Sequence, residues 1–362
     1  MRLLIVTNDY PPKAGGIQQY LGNLVDAYPH EVRVLAPADG PATGVRGEAV
    51  VRRDRRTWML PSSRIASWVI DEADDFGADA VLFGAPFPMP LLTRRLGRDV
   101  PVGVLCHGAE VTVPAAFPGA RGLLARTLRR ADVRFAVSHF TVRRVEALTG
   151  KEVRYLGGGV DVGAFAPSQR SGPDEPGDGD GFIVGCVSRF VPRKGQDRLI
   201  TAVAELRARG HDVELLLVGR GRRERALRSL VAKVGVPTRF EVNVGWAQLP
   251  DLYARMDVFC MPCRSRWGGL EVEGLGLVFL EAAAVGIPVL AGTSGGAPET
   301  VVPGVTGYVV ADTANIVEAV ERLIADPARR REMGSAGRGR VLADFTWHRV
   351  VERLIAGFEK IL

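Results

Sequence analysis

Short apolar, β-branched runs recur along the chain with stretches of helical periodicity between them, and this alternation limits the fold more than any other feature. Strands are expected at residues 3–6, 32–36, 80–83, 102–106 and 133–137, with amphipathic helices such as 17–28 and 123–130 among them. Runs that are apolar throughout belong to parallel strands covered by helices on both faces. Residues 166–181 interrupt the rhythm with a polar, Gly- and Pro-rich stretch of linker composition. The rhythm restarts with strands at 183–188, 214–218, 240–244, 258–260 and 288–291. At 362 residues the chain exceeds the roughly 250–300 that one core holds. The expected fold class is therefore α/β, with two Rossmann-like, doubly wound parallel-sheet domains at 1–165 and 182–345, joined by the linker 166–181. Such domains would face each other across a cleft, at the carboxyl ends of their strands, where ligands bind. A last helix, 346–362, carries Val350, Val351, Leu354, Ile355 and Phe358 on one face and is expected to pack back on the first domain.

Several function classes are excluded at once. No apolar run reaches the roughly 18–20 residues that cross a bilayer; the longest, 275–291, is broken by Glu281. The apolar start at 3–6 is shorter than the ~7–15 residues of a signal-peptide core, so a cytoplasmic chain is expected. Cys106, Cys186, Cys260 and Cys263 include one C-x-x-C, which lacks the second ligand pair of a zinc site. Its first cysteine ends an apolar run instead of opening a helix, so a redox pair is disfavoured and buried thiols are expected. The net charge of +6 is spread over both halves, and the aromatics, 7% of the chain, do not cluster with arginine. That pattern excludes a nucleic-acid partner and leaves a weak pull toward phosphate or anionic surfaces. Nothing points to a protein partner.

Three stretches carry residues of the right type for anion and sugar chemistry. The first strand is followed by Asn8-Asp9-Tyr10-Pro11-Pro12-Lys13-Ala14-Gly15-Gly16 and then a helix. Paired glycines there let backbone N–H groups approach an anion that the helix dipole also favours, although a plain tight turn would read the same. The spacing is not G-x-G-x-x-G, which argues against a dinucleotide oxidoreductase. Arg189-Phe190-Val191-Pro192-Arg193-Lys194-Gly195 follows strand 183–188 in a chain with five lysines against 42 arginines. Arg189 and Lys194 could hold a diphosphate and stabilise its charge as it leaves; the competing reading is a solvated basic loop. In Glu273-Gly274-Leu275-Gly276-Leu277-Val278-Phe279-Leu280-Glu281, a Gly-x-Gly turn opens an apolar helix between two carboxylates. Eight helical residues rise about 12 Å, on the scale of a nucleotide sugar, and helix-start N–H groups lie between. His107 ends strand 102–106, where a histidine can face a bound ligand, though a lone His is more often structural.

With Glu-x7-Glu, Arg-x4-Lys and the Gly-Gly loop in place, nearly the whole chain resembles the retaining glycosyltransferases of family four, which have the GT-B fold. The stretches Val6–Gln18, 271–276 and Ala291-Gly292-Thr293-Ser294-Gly295-Gly296-Ala297-Pro298-Glu299-Thr300 carry the resemblance. It is strongest to the actinobacterial branch that mannosylates phosphatidyl-myo-inositol mannosides. The resemblance implies a hexosyltransferase that moves mannose from GDP-mannose to such a lipid, in an acceptor-binding first domain and a nucleotide-sugar-binding second one. It implies that Arg189 and Lys194 bind the donor diphosphate, Glu273 the transferred sugar and Glu281 the ribose. Backbone of Gly276 and Leu277 would complete the phosphate contacts, with Gly15 and Gly16 from the first domain. Val244 and Trp246 fall where the family contacts the base, and His107 where it contacts the sugar near the reacting carbon. No second acid stands beside His107 to act as the nucleophile of a double displacement. The acceptor would instead attack on the face the diphosphate leaves, with the departing phosphate taking its proton. Asp-x-Asp does not occur near these candidates, so neither metal nor cofactor is required. A relative using a UDP-sugar or a soluble acceptor, and a nucleotide-sugar-binding protein without turnover, are the alternatives.

A glycolipid acceptor suggests peripheral contact with the inner membrane surface. Two basic stretches suit it: Arg52-Arg53-Asp54-Arg55-Arg56 before Trp58 and Met59, and residues 121–134, with Arg126, Arg129 and Arg130 against Leu123, Leu124 and Leu128. An exposed face of an ordinary helix is the competing reading for both.

Overall fold

The computed structural model describes residues 1–13, 15–40, 43–47, 49–96, 100–167 and 181–361. Within these the chain forms two compact units, Met1–Gly159 with Trp347–Leu362, and Val160–Thr346. Most of the expected linker, residues 168–180, lies outside the described residues.

The first unit holds β1 (Leu3–Val6), β2 (Val32–Ala36), β3 (Thr43–Arg46), β4 (Ala49–Arg53), β5 (Ala80–Phe83), β6 (Val102–Cys106), β7 (Val133–Ala136) and β8 (Arg154–Tyr155). They form one sheet in the order β3-β4-β2-β1-β5-β6-β7-β8, parallel except for the β3–β4 hairpin. Its helices are α1 (Gly16–Asp26), α2 (Ser63–Phe76), α3 (Ala109–Ala115), α4 (Pro118–Arg130) and α5 (His139–Thr149). Every residue of β1, β5, β6 and β7 is buried, as a sheet covered on both faces requires. The core beneath α2 and α4 is built from Leu4, Val6, Val69, Val81, Phe83, Val104, Leu124 and Leu128.

The second unit holds β9 (Phe182–Val187), β10 (Val213–Val218), β11 (Thr238–Glu241), β12 (Val258–Met261), β13 (Val289–Gly292) and β14 (Gly307–Val310). These run parallel in the order β11-β10-β9-β12-β13-β14. The order doubles back at β9 and β12, the switch point at which such sheets bind ligands. Its helices are α6 (Gln196–Ala208), α7 (Glu224–Val234), α8 (Leu249–Ala254), α9 (Leu277–Val285), α10 (Thr313–Ala325) and α11 (Pro327–Asp344). The last helix, α12 (Trp347–Glu359), belongs to the first unit. Its Phe358 ring lies 5.4 Å from Phe135 on β7, against the bare Cα of Gly103.

The four thiols are buried and free. Two details depart from expectation. The strand expected at 240–244 runs instead from Thr238 to Glu241, because Asn243 takes a left-handed conformation, φ 58°, that ends it. The basic run at 52–56 is partly taken up by the fold, while Arg55, Arg56 and Trp58 stay exposed. Arg52 and Arg53 lie in β4, Arg53 donates to the carbonyls of Pro37 and Pro11, and Asp54 is buried in a bidentate pair with Arg64. Met59 is in the core, so it cannot insert into lipid. Leu124 and Leu128 are buried likewise, which leaves Phe117 and Leu123, 59% and 42% exposed, as the apolar members of the α4 surface.

Candidate functional site

In the second unit the chemistry gathers where β9, β12 and β13 end. A single 3-10 turn, Pro192–Lys194, follows β9 and closes on Gly195, which opens α6. The turn directs Lys194 inward, where it is 7% exposed, and brings its Nζ to 2.7 Å from Glu273 Oε2. Arg193, next to it, bonds the same oxygen and approaches Glu271 at 3.8 Å. Glu273 itself is 8% exposed. Burial pushes its pKa up, but the Lys194 and Arg193 charges and their hydrogen bonds outweigh that and hold it down at about 2. A buried carboxylate is thus fully ionised at neutral pH between two cations.

The backbone around Glu273 is fixed from the loop after β13. Ser294 Oγ accepts from the Glu273 N–H at 3.0 Å, and the Glu273 carbonyl accepts from Gly296 N–H at 3.0 Å. Gly295 sits between them at φ 57°, and a Cβ there would lie 1.9 Å from the Glu273 carbonyl oxygen. Only glycine lets these two loops touch.

The eight-residue spacing between the two carboxylates is not eight residues of helix. Gly276 takes φ 91°, ψ 80° and caps α9, which begins at Leu277. Glu273 therefore lies in the lead-in, and the 12 Å helical rise does not apply. Leu277 occupies the helix start, whose first N–H groups have no intrahelical acceptor. Glu281 projects from α9 half-buried, and Tyr253 on α8 donates its hydroxyl to Glu281 Oε2 at 2.8 Å. Burial pushes Glu281 up to about 7, against the pull of that hydrogen bond.

The remaining second-unit candidates are more open. Arg189 is exposed, and among the described residues its guanidinium makes no ion pair; its carbonyl accepts from Gln196 Nε2 at 3.0 Å. Val244 is half-buried in the segment before the Trp246–Gln248 turn. Trp246 is 39% exposed, with its ring edge on Phe165 at 5.6 Å.

The first unit assembles a second cluster at its own switch point. Asp9 follows β1, and Gln18 on α1 donates to Asp9 Oδ1 at 2.7 Å. Gln18 closes so tightly on Gly15 that a Cβ there would lie 2.1 Å from its Oε1, whereas Gly16 is open around its Cα. Burial raises the Asp9 pKa, Lys13 and His107 pull it down, and Glu110 adds to the rise. His107, buried at the end of β6, places Nε2 3.0 Å from the Gly84 carbonyl. A carbonyl can only accept, so Nε2 carries a proton, and in the neutral ring Nδ1 is the acceptor. Tyr20 packs edge-on to the imidazole at 5.3 Å. Glu110 accepts from the His107 and Gly108 N–H groups, fixing the turn.

The structure therefore joins Lys194 to Glu273, and Gly15 to the Asp9–Gln18 pair. Arg193, Ser294, Tyr253, Gln18 and Glu110 belong to these clusters and were not singled out by spacing. Adjacency to Lys194 was the one available signal for Arg193.

Two family models cover the chain: "Glycosyltransferase Family 4" matches residues 14–164 and "Glycosyl transferases group 1" residues 170–340. A GDP-mannose-dependent alpha-(1-6)-phosphatidylinositol monomannoside mannosyltransferase of Mycolicibacterium smegmatis is 42% identical, over 95% of this chain and 95% of the relative. A GDP-mannose-dependent monoacylated alpha-(1-6)-phosphatidylinositol monomannoside mannosyltransferase of Corynebacterium glutamicum is 38% identical, over 98% and 96%. Among solved structures, a sucrose-phosphate synthase of Thermosynechococcus elongatus superimposes with a TM-score of 0.81 at 21% identity, covering 99% of this chain and 98% of that one. Anabaena HepE in complex with UDP and glucose does so at 0.79 and 20%, covering 99% of each. With both halves matched in chain order and a fold shared end to end, the chain belongs to the family 4 glycosyltransferases and has the GT-B fold.

Proposed function

We propose that this glycosyltransferase transfers mannose from GDP-mannose to a phosphatidyl-myo-inositol mannoside, with retention at the anomeric carbon. The observation that supports it most is the buried, ionised Glu273 held by Lys194 and Arg193 beside the start of α9, in a chain whose full-length relatives carry that activity in their names. The second unit is assigned the nucleotide sugar and the first the acceptor.

Lys194 has three donors and spends one on Glu273, leaving two for diphosphate oxygens. Arg189, exposed and without an ion pair among the described residues, adds a planar fork. The N–H groups at Gly276 and Leu277 meet the same phosphates at the positive end of α9. Glu273 accepts from the mannose hydroxyls, Glu281 from the ribose, and Val244 and Trp246 flank the base. In the first unit, His107 and the Gly15-Gly16 turn serve the sugar and acceptor side. The acceptor oxygen bonds to the anomeric carbon as the bond from that carbon to the diphosphate oxygen breaks, and the hydroxyl proton passes to the departing phosphate. Catalysis is then positioning plus stabilisation of the leaving charge, with no metal or cofactor assigned to it.

Lipid contact is assigned to the exposed side of α4 and its lead-in, where Phe117 and Leu123 lie among Arg121, Arg126 and Arg130. Among the described residues no helix is long and apolar enough to cross a membrane.

Incubation with GDP-mannose or UDP-glucose and a phosphatidylinositol monomannoside, read by mass spectrometry, tests the assignment. One added hexose from GDP-mannose is expected. Transfer from UDP-glucose alone, or no product with either donor, would overturn it.

A further inference from the structure

Glu281 is not free to choose its own orientation. Tyr253 reaches it from α8 with its ring fully buried, packed against Phe165 at 5.8 Å and Phe259 at 5.7 Å. Its hydroxyl has one proton and two possible acceptors, Glu281 Oε2 at 2.8 Å and the Val278 carbonyl at 3.3 Å. The nearer, charged acceptor is the stronger one. An ionised carboxylate offers about four lone-pair sites, so one bond from Tyr253 leaves Oε1 and the second site on Oε2 open. Two such sites on adjacent oxygens fit two neighbouring hydroxyl donors, the arrangement of a ribose 2′,3′-diol.

We propose that Tyr253 is a positioning residue for donor binding: its hydroxyl turns Glu281 toward the ribose diol and keeps it in the ionised, accepting form. The inference rests on the assignment of Glu281 to the ribose. Its electrostatic side follows from the surroundings. Burial drives Glu281 toward the neutral acid, and the Tyr253 hydroxyl opposes it. The other elements packed on α9 bring the Cys260 thiol of β12, Glu299 of the turn Ala297–Thr300, and Arg338 of α11. Arg338 is turned to the carbonyls of Ala284 and Phe165. β13 presents no titratable side chain.

The folded protein binds a diol well when Glu281 is ionised, so affinity for a ribonucleotide rises with pH through about 7. Removing the hydroxyl takes away a bond that favours the charged form, so the rise moves to higher pH.

Calorimetric titration with GDP between pH 6 and 9 tests this, with 2′,3′-dideoxy-GDP as the probe lacking the diol. Tyr253→Phe keeps the buried ring. It is expected to weaken GDP binding about tenfold at pH 7, with the gap narrowing toward pH 9. Dideoxy-GDP, which shares the titration of the terminal phosphate, should show neither the additional rise due to Glu281 nor the loss. In Glu281→Gln, which has no charge to protect, the pH dependence should fall to that seen with dideoxy-GDP and Tyr253→Phe should add little. Parallel pH curves for wild type and Tyr253→Phe, or the same loss with dideoxy-GDP, would overturn the positioning role while leaving GDP binding intact. Failure of the wild type to bind GDP at any pH would remove the ribose assignment and this inference together.

Discussion

Lys194, Arg193 and Glu273 form a buried charge triad whose members are useful because none is satisfied by the others alone. One carboxylate oxygen faces two cations, which keep further donors for a ligand. Removing the carboxylate takes the ion-pair partner from buried Lys194 and leaves half-buried Arg193 with only the longer Glu271 contact. Glu273→Gln is therefore expected to abolish transfer and to cost on the order of 3 kcal/mol at pH 7, read by chemical denaturation. Its folded pKa of about 2 lies below the ordinary 4.5. The stability it contributes is thus present above pH 4.5 and lost as pH falls toward 2. The difference between wild type and variant should shrink over that window; a constant difference would mean that folding does not lower the Glu273 pKa. Lys194→Ala keeps Arg193 on Glu273, so turnover should fall about 100- to 1000-fold, with a smaller change in unfolding midpoint. An unchanged rate would remove Lys194 from the diphosphate. At this scale the sequence exposes residue types in rare contexts: an acid in an apolar helix, a lysine in an arginine-rich chain. It hides Arg193, since only the 3-10 turn shows that two neighbouring side chains reach one oxygen. Tyr253 is hidden for the same reason, lying 28 positions from its partner.

Among the elements, the fully apolar strands were legible because a parallel strand buried on both faces needs nothing else to declare it: β1, β5 and β6 lie where the runs place them. The β3–β4 hairpin was not, as the arginines at its end read as a charged surface stretch. The Gly-x-Gly turn opens α9 as read, but the helical rise does not extend back to Glu273, because Gly276 takes a left-handed conformation that composition alone does not reveal. Close approach of loops is likewise invisible in sequence. Gly295→Ala puts a methyl into the Glu273 carbonyl, so this small change should destabilise by on the order of 2 kcal/mol or more. Activity should fall further than the loss of folded protein explains. Thermal unfolding and initial rates on the same sample check both, and an unaffected rate would show that the Glu273 backbone tolerates displacement.

Over the whole molecule, the periodic last helix was legible as amphipathic, and the structure places its Phe358 against Phe135 in the first unit. Phe358→Ala empties a fully buried site and should cost about 3–5 kcal/mol. Surface function is harder to read from sequence, because basic residues look alike whether they face water or carbonyls. Arg129 illustrates this on α4: it is exposed like Arg126 and Arg130, yet its guanidinium bonds the Leu148 and Thr149 carbonyls. If the α4 face meets the lipid, Phe117→Ser with Leu123→Ser should weaken co-sedimentation with phosphatidylinositol-containing vesicles and leave GDP affinity unchanged. Undiminished vesicle binding would move the contact elsewhere. The most direct measurement is a crystal structure of the full chain with GDP bound. The expected result is a diphosphate within hydrogen-bond distance of Lys194 Nζ and the Leu277 N–H, with Glu281 on the ribose hydroxyls. A nucleotide seated away from these groups, with Lys194 and Arg193 still engaged by Glu273 alone, would contradict it.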